Sequence, residues 1–156
     1  MQIKLINNQN KVKFDFKSIE GYSDYISNKF DLDNNRSINI IFVTSGEIQK
    51  LNKSYRNIDR PTDVLSFSYL CDIDDSGAAA GPIVIGEIYI SPEAALDNSR
   101  EQEDDWDIDQ EIMLLIIHGM LHVYDYDHED EEKKAEMYNI QDSIIHYVKS
   151  KNRNRY

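Results

Sequence analysis

The residues best suited to chemistry are three of the chain's four histidines, which lie within eleven residues at His118, His122 and His128. His118 and His122 are four residues apart, a spacing that places two helical side chains on one face with Cβ atoms about 6 Å apart. Two imidazoles in this position can bind one metal ion. A turn near Asp125 would return His128 as a third ligand and leave a fourth position for water. The spacing predicts a divalent transition metal, with zinc favoured and nickel or another such metal also compatible with three imidazoles.

Other interpretations of these histidines are less favoured. The first alternative is that they are ordinary polar residues at a helix end, and the second is that His118 alone is a core histidine. Both are disfavoured because burying three histidines without a shared role would be costly. A metalloprotease with this spacing carries its general-base Glu directly after the first histidine, where this chain has Gly119. A metal-bound water has a pKa near ~7, so hydrolysis of another substrate does not require that Glu. The fourth histidine, His146, lies apart and is expected to be a surface or core residue.

The charge of the chain is unevenly distributed. Its net charge is -12, but residues 101–132 hold thirteen Asp and Glu and no Lys or Arg, so the remainder is close to neutral. A solvated helix start and loop account for most of this acidity. By contrast, four cations fall within eleven residues whose one acidic member is Asp59: Lys50, Lys53, Arg56 and Arg60. We interpret these four residues as a basic patch that can face solvent or an anionic substrate.

The hydrophobic pattern predicts a small α/β (α+β) domain with a mixed, mostly four-stranded sheet and about five helices. Short β-branched runs predict strands at 2–6, 37–43, 62–69 and 83–90. Apolar residues three and four apart predict helices at 16–30, from Ser45, from Pro92 after the cap Ser91, at 109–123, and along Met137, Ile140, Ile144 and Val148. The helix at 109–123 is apolar almost all round, so we expect a central buried helix that carries His118 and His122.

Several local features add to this picture. Ile48, Leu51 and Tyr55 form the apolar stripe of the second helix, away from its basic side. Gly86, at the centre of a predicted strand, indicates a bulge or a close approach by another part of the chain. We expect a flexible loop at 72–81 and a frayed basic tail at 149–156.

Length and composition limit the class of protein. A chain of 156 residues with 40% hydrophobic and 29% charged residues fits a single domain, 1–156, that folds alone. The sequence has no run typical of a signal peptide or a membrane span, which favours a cytoplasmic location and no membrane partner. Cys71 is the one cysteine, so an internal disulfide and a cysteine-rich zinc finger are both excluded.

Two blocks of this sequence resemble the YbeY family of endoribonucleases, which mature ribosomal RNA. Residues 118–128 read H-G-M-L-H-V-Y-D-Y-D-H, similar to the family signature H-G-x-L-H-L-x-G-Y-D-H. Residues 51–67 read L-N-K-S-Y-R-N-I-D-R-P-T-D-V-L-S-F, similar to L-N-x-x-Y-R-x-x-D-x-P-T-D-V-L-S-F, and Gly86-Glu87-Ile88 resembles a later G-D-I. The resemblance runs from about residue 38 to residue 145. The chain departs from the family at Val123 for leucine, Asp125 for glycine, Ser68 for proline and Glu87 for aspartate.

The resemblance implies a metal-dependent endoribonuclease that cleaves single-stranded RNA with a zinc-activated water. It further implies a role in rRNA maturation and ribosome biogenesis, including 3′-end processing of small-subunit rRNA. His118, His122 and His128 would be the metal ligands, and Arg56 a functionally important residue. A guanidinium suits this chemistry, because phosphodiester hydrolysis builds negative charge on phosphate oxygens that two directed hydrogen bonds can stabilise. The implied partners are ribosomal RNA, in particular the small-subunit precursor, and ribosomal or ribosome-associated proteins, with no DNA.

The remaining site residues are assigned on weaker grounds. Lys53 and Arg60 are candidate substrate-binding residues beside Arg56. Asp127 is a candidate catalytic residue, because a carboxylate next to a ligand can hold an imidazole or orient water, although a solvated loop aspartate is the alternative. Asp63 is expected to shape the chain before the third strand or to pair with Arg56.

Two other functions are left open by the sequence. The first is a ribosome-associated RNA- or protein-binding module whose zinc is structural, in which case a fourth protein ligand such as Asp127 would close the site. The second, a metalloprotease, is disfavoured by Gly119.

Overall fold

The computed structural model describes residues 2–29, 35–70, 83–102, 106–124 and 131–153. Its strands are β1 (Gln2–Asn7), β2 (Arg36–Phe42), β3 (Val64–Ser68) and β4 (Ile83–Ile90). Its helices are α1 (Phe16–Lys29), α2 (Ser45–Arg56), α3 (Pro92–Arg100), α4 (Ile108–Val123) and α5 (Glu131–Arg153). The strands form one mixed sheet in the order β1-β2-β4-β3, in which β3 is antiparallel to β4 and the other pairs are parallel. The predicted α/β class and the predicted mixed sheet are confirmed.

The sheet is covered on both faces because successive side chains of a strand point to opposite sides. Phe42 of β2 points into the larger apolar cluster, to which α1, α4 and α5 contribute. Its neighbour Ile41 points the other way, into a smaller cluster with Leu65 of β3 and Ile48 of α2. Helices α2 and α4 therefore lie on opposite faces of the sheet, and β3 forms the edge strand beside both.

Helix α4 begins with a capping box. The Asp107 side chain accepts a hydrogen bond from the Gln110 backbone N–H, and the Gln110 side chain accepts one from the Asp107 backbone N–H. This arrangement satisfies two N–H groups that the first helical turn leaves without partners. Most residues of α4 from Gln110 onward are buried, as the sequence predicted for the helix that carries the two histidines.

Two glycines allow α4 to pack unusually close to the sheet. A Cβ added to Gly119 would lie 2.7 Å from Cγ2 of Ile88, and one added to Gly86 would lie 2.6 Å from Cγ1 of Val123. Both distances are shorter than real carbon contacts, so a side chain at either position would push the helix away from β4. The β2–β4 register also shifts between Ser37 and Ile38, and Ile38 is the partner of Gly86. Of the two alternatives predicted for Gly86, the close approach therefore occurs, together with an irregularity in the strand pairing.

Some predicted features differ from the structure. Tyr55 was expected on the apolar face of α2, but its side chain is 70% exposed. Strand β3 begins at Val64, later than the predicted residue 62. The Thr62 hydroxyl donates to the Val64 carbonyl, and Asp63 accepts from the backbone N–H groups of Val64 and Ser91, so neither residue pairs as part of the strand. Helix α5 extends to Arg153 and so includes the first part of the basic tail 149–156, whose fraying stays a prediction. The predicted loop 72–81 lies outside the described residues. None of the helices described combines the length and apolar character that a membrane crossing requires.

Candidate metal centre and its surroundings

His118 and His122 project from the last turns of α4 toward a common point. Their Nε2 atoms are 3.1 Å apart, and their rings are 4.6 Å apart between centroids with an angle of 75° between the planes. Two nitrogens bound to one tetrahedral metal at about 2.0–2.1 Å lie roughly 3.3 Å from each other. Both side chains are only half-buried, so a metal ion at this point would remain accessible. The pair fits two coordination positions of a divalent metal that favours imidazole.

Gln141 lies behind the first of these histidines. Its terminal amide on α5 is 3.4 Å from Nδ1 of His118, and its side chain is buried. As placed, the amide nitrogen Nε2 of Gln141 faces the ring, and a half turn of the amide would present Oε1 instead, to which Nδ1–H could donate. A metal on Nε2 of His118 would require this second orientation, because it leaves the lone pair on Nε2. Sequence reasoning missed Gln141 because 23 residues and a helix break separate it from His118.

The carboxyl end of α4 is attached to the edge strand. Ser68 Oγ, at the end of β3, donates a 2.7 Å hydrogen bond to the Val123 carbonyl. This carbonyl belongs to the last helical turn, whose C=O groups have no partner within the helix. The serine, which replaces the usual proline of the resembled family, therefore contacts the residue next to His122 rather than lying apart from the site.

The remaining members of the predicted metal site fall outside the described residues. These members are His128, Asp127 and the turn at Asp125. In the part of the chain that the structure describes, no three His, Cys, Asp or Glu side chains come close enough to hold a metal. The described geometry thus contains two of the predicted ligands, and His128 stays a prediction as the third.

The basic patch lies on α2 and the segment that follows it. Asn57, with φ 58° in the left-handed region, ends α2 directly after Arg56. The side chains of Lys53, Arg56 and Arg60 are exposed. Lys53 Nζ lies 3.6 Å from Asp59 Oδ2, and this exposed pair contributes little to stability. Asp63 does not pair with Arg56 as the sequence allowed, because its carboxylate accepts hydrogen bonds from Val64 N–H and Asn98 Nδ2.

The structure brings the basic patch and the histidines to the same end of β3, although it does not bring them into contact. Phe67 contacts the Tyr55 ring at 5.1 Å between centroids, while the next residue, Ser68, bonds to Val123 on α4. Consecutive strand residues face opposite sides of a sheet. Tyr55 and Val123, the sequence neighbours of Arg56 and His122, therefore contact consecutive residues of the edge strand from opposite sides.

A buried polar network holds the opposite end of α4. Glu111 is 3% exposed, and its carboxylate accepts hydrogen bonds from Trp106 Nε1 at 2.7 Å and Asn98 Nδ2 at 3.4 Å. Asn98 Nδ2 also donates to Asp63 Oδ2 at 3.0 Å, and the Asp63 carbonyl accepts from Ser91 N–H. This network joins the starts of β3, α3 and α4. The one sequence signal for it was an acidic residue, Glu111, within an otherwise apolar helix.

A second carboxylate lies on the α2 face of the sheet. Glu87 accepts hydrogen bonds from the hydroxyls of Tyr69 and Tyr89 at 3.1 and 3.0 Å. Burial and the adjacent carboxylate raise the pKa of Tyr69 and raise the pKa of Tyr89 to about 12. Glu87 and Tyr89 also line a cleft of about 480 Å³ with Asn8, Asn39 and Lys50, and neither His118 nor His122 contributes to that cleft.

Residues 4–149 match the model of the family described as endoribonuclease YbeY. An endoribonuclease YbeY from Oceanobacillus iheyensis is 34% identical over 93% of this chain and 96% of its own length. An endoribonuclease YbeY from Clostridioides difficile is 34% identical over 93% of this chain and 95% of its own length. The solution structure of TM1509 from Thermotoga maritima superposes with a TM-score of 0.64 at 27% identity, covering 99% of this chain and 93% of that one.

Proposed function

The chain belongs to the YbeY family of endoribonucleases, and on this premise we propose that it cleaves single-stranded ribosomal RNA with a bound zinc ion. The substrate we propose is precursor small-subunit rRNA, which the protein would process at the 3′ end during ribosome biogenesis in the cytoplasm. Its proposed protein partners are ribosomal or ribosome-associated proteins. The whole chain, 1–156, would act as one domain. The observation that carries the proposal is the pair of imidazole Nε2 atoms 3.1 Å apart on α4.

Three histidines would hold the metal. His118 and His122 supply two nitrogens from one helix face, and His128 supplies the third from beyond the helix end. A divalent metal bound there provides a Lewis acid for a phosphoryl oxygen and lowers the pKa of a coordinated water. Three protein ligands leave a coordination position for that water, which distinguishes a catalytic site from a closed structural one. Zinc fits three neutral imidazoles, and nickel fits them as well.

The remaining proposed roles belong to charged side chains of this chain. Arg56 would bind the scissile phosphate with two directed hydrogen bonds and stabilise the charge that develops on its oxygens. Lys53 and Arg60 would bind neighbouring phosphates as exposed cations. Asp127 would orient the attacking water or accept a proton from it. Arg56 also lies in the last turn of α2, where a cation interacts favourably with the negative end of the helix dipole. The experiment must therefore distinguish phosphate binding by Arg56 from a purely structural role.

The decisive experiment measures bound metal and RNA cleavage in the same preparations. Wild-type protein, His122→Ala and Arg56→Ala would be analysed by plasma mass spectrometry for metal. Each would then be incubated with single-stranded and structured fragments of ribosomal RNA. We expect His122→Ala to lose both stoichiometric metal and cleavage, because one of three ligands is gone. Arg56→Ala should keep its metal and lose cleavage, which a structural role for Arg56 would not produce.

Two outcomes would contradict the proposal. Metal-dependent cleavage that persists in purified His118→Ala/His122→Ala protein would exclude these histidines as ligands of a catalytic metal. Wild-type protein that holds one metal and binds RNA, yet cleaves no fragment, would instead favour a binding module with a structural zinc.

A further inference from the structure

Tyr55 is the most exposed of the large hydrophobic side chains in the described ranges. Its exposure is 70%, against 49% for Tyr138, 38% for Ile58 and 37% for Val84. It continues the helical spacing of Ile48, which is completely buried, so the sequence pattern would place its ring in the core. The ring instead contacts Phe67 of the edge strand and stays largely exposed. A single exposed aromatic is ordinary, so its surroundings decide whether it has a function.

The Tyr55 ring packs against one end of a row of aromatic rings. It meets Phe67 at 5.1 Å between centroids with an angle of 64° between the planes. Phe67 in turn meets Tyr89 edge-on at 6.0 Å, and the Tyr89 hydroxyl donates to Glu87. A ring fixed before a ligand arrives loses little conformational freedom on binding. Tyr55 therefore presents a pre-positioned aromatic surface to solvent.

Cations outnumber acids in the stretch of chain that contains Tyr55. Arg56 follows Tyr55 in sequence, and Lys53 and Arg60 are exposed in the same stretch, where Lys53 pairs with Asp59. Within the described residues, the Arg56 guanidinium forms no ion pair. Thirteen of the 29 acidic residues of the chain lie elsewhere, in 101–132. An exposed aromatic ring among cations is the combination by which proteins bind single-stranded nucleic acid, with bases on the rings and phosphates on the cations.

We propose that Tyr55 is a stacking platform for one unpaired base of an RNA strand whose adjacent phosphate contacts Arg56. This inference rests on the proposed function, because it assumes that RNA is the substrate. A base in a duplex already stacks on its neighbours, whereas an unpaired base has a free face for the tyrosine. Tyr55 thereby gives the protein a preference for single strands over duplexes. It is a binding residue and takes no part in bond cleavage.

The test measures binding of a fluorescently labelled, unstructured oligoribonucleotide with non-cleavable linkages to the metal-loaded protein by anisotropy. Tyr55→Ala should weaken binding by about 5- to 150-fold, the effect of removing a stacking ring. Tyr55→Phe should bind within about twofold of wild type, because the ring is kept. Tyr55→Leu should resemble Tyr55→Ala while keeping an apolar contact with Phe67, so it controls for a change in folding. Tyr138→Ala removes another exposed tyrosine, on α5, and should leave binding unchanged.

Salt dependence separates stacking from charge. Tyr55→Ala should lower the affinity at every salt concentration without changing the slope of log affinity against log salt, whereas Arg56→Ala should reduce that slope. The inference is overturned if wild-type protein binds and cleaves RNA while Tyr55→Ala and Tyr55→Leu bind as tightly as Tyr138→Ala. Wild-type protein that neither binds nor cleaves RNA would overturn the proposed function itself.

Discussion

Helices α2 and α4 carry parts of the two sequence blocks of the family and pack on opposite faces of one sheet. They differ in how much of each helix is buried. Helix α4 is buried along most of its length, packs closely on β4 at Gly119, and has Gln141 beside His118. Helix α2 buries Ile48 and exposes its basic and aromatic side chains. On the proposed function, metal binding would depend on core packing, whereas substrate binding would depend on surface charge and ring exposure. Changes to α4 should then affect folding and metal together, and changes to the exposed side of α2 should affect RNA alone.

The largest effect that tests this contrast is expected at Gly119. Gly119→Ala places a Cβ 2.7 Å from Ile88 Cγ2, and such overpacking lowers the free energy of unfolding by about 1–3 kcal/mol. The matched variant on α2 is Gly46→Ala. The nearest atom to its added Cβ would be Thr44 Oγ1, at an ordinary contact distance of 4.0 Å. That substitution should leave stability unchanged or slightly higher, because alanine favours helix. Urea unfolding of both variants measures the difference, and equal stabilities would contradict the close packing of α4.

A smaller effect, confined to the metal, is expected at Gln141. Gln141→Leu removes the hydrogen-bond partner of His118 Nδ1, and loss of such a partner lowers metal affinity by about 10- to 100-fold. Gln141→Glu keeps an acceptor and should retain the affinity. Asn139→Leu changes an exposed residue of the same helix and should have no effect. Competition with a chromophoric chelator measures all three, and unchanged affinity in Gln141→Leu would limit this glutamine to a packing role.

The smallest effect is expected on the α2 face at high pH. The pKa of Tyr89 is raised to about 12 by burial and by its hydrogen bond to Glu87. The folded protein therefore holds the Tyr89 hydroxyl proton more tightly than the unfolded chain does, because an unfolded tyrosine has a pKa of about 10. The associated stability is complete below pH ~10 and is lost as the pH rises toward about 12. Tyr89→Phe should reduce the fall in unfolding free energy across this range, and an unchanged fall would assign it to other tyrosines.

The sequence predicted the elements better than the contacts between them. The limits of β4 were predicted to the residue, and those of β2 and α4 within one residue, because β-branched runs and apolar periodicity are local signals. The contact between His118 and His122 was predictable for the same reason, since a spacing of four fixes it. The family was predicted from two motifs and is confirmed by the match over 4–149.

Contacts between distant parts of the chain had no such signal. Tyr55 fits the apolar stripe of α2, yet its ring is largely exposed beside Phe67 of the edge strand. Gln141 and Ser68 reach the histidine helix from 23 and 55 residues away, and no spacing rule connects them to it. The roles of His128, Asp127 and Arg56 stay predictions, the first two because they lie outside the described residues.

The hydrogen bond from Ser68 to the Val123 carbonyl has a consequence for local unfolding. An edge strand has a single hydrogen-bonded neighbour, so β3 would be expected to separate from β4 more readily than an inner strand does. The bond from Ser68 crosses from the end of that strand to the last turn of α4. Opening of the strand end therefore breaks a contact of the helix end as well. The two ends should exchange their amide hydrogens with solvent as one cooperative unit, although one end belongs to the sheet and the other to a helix packed on it.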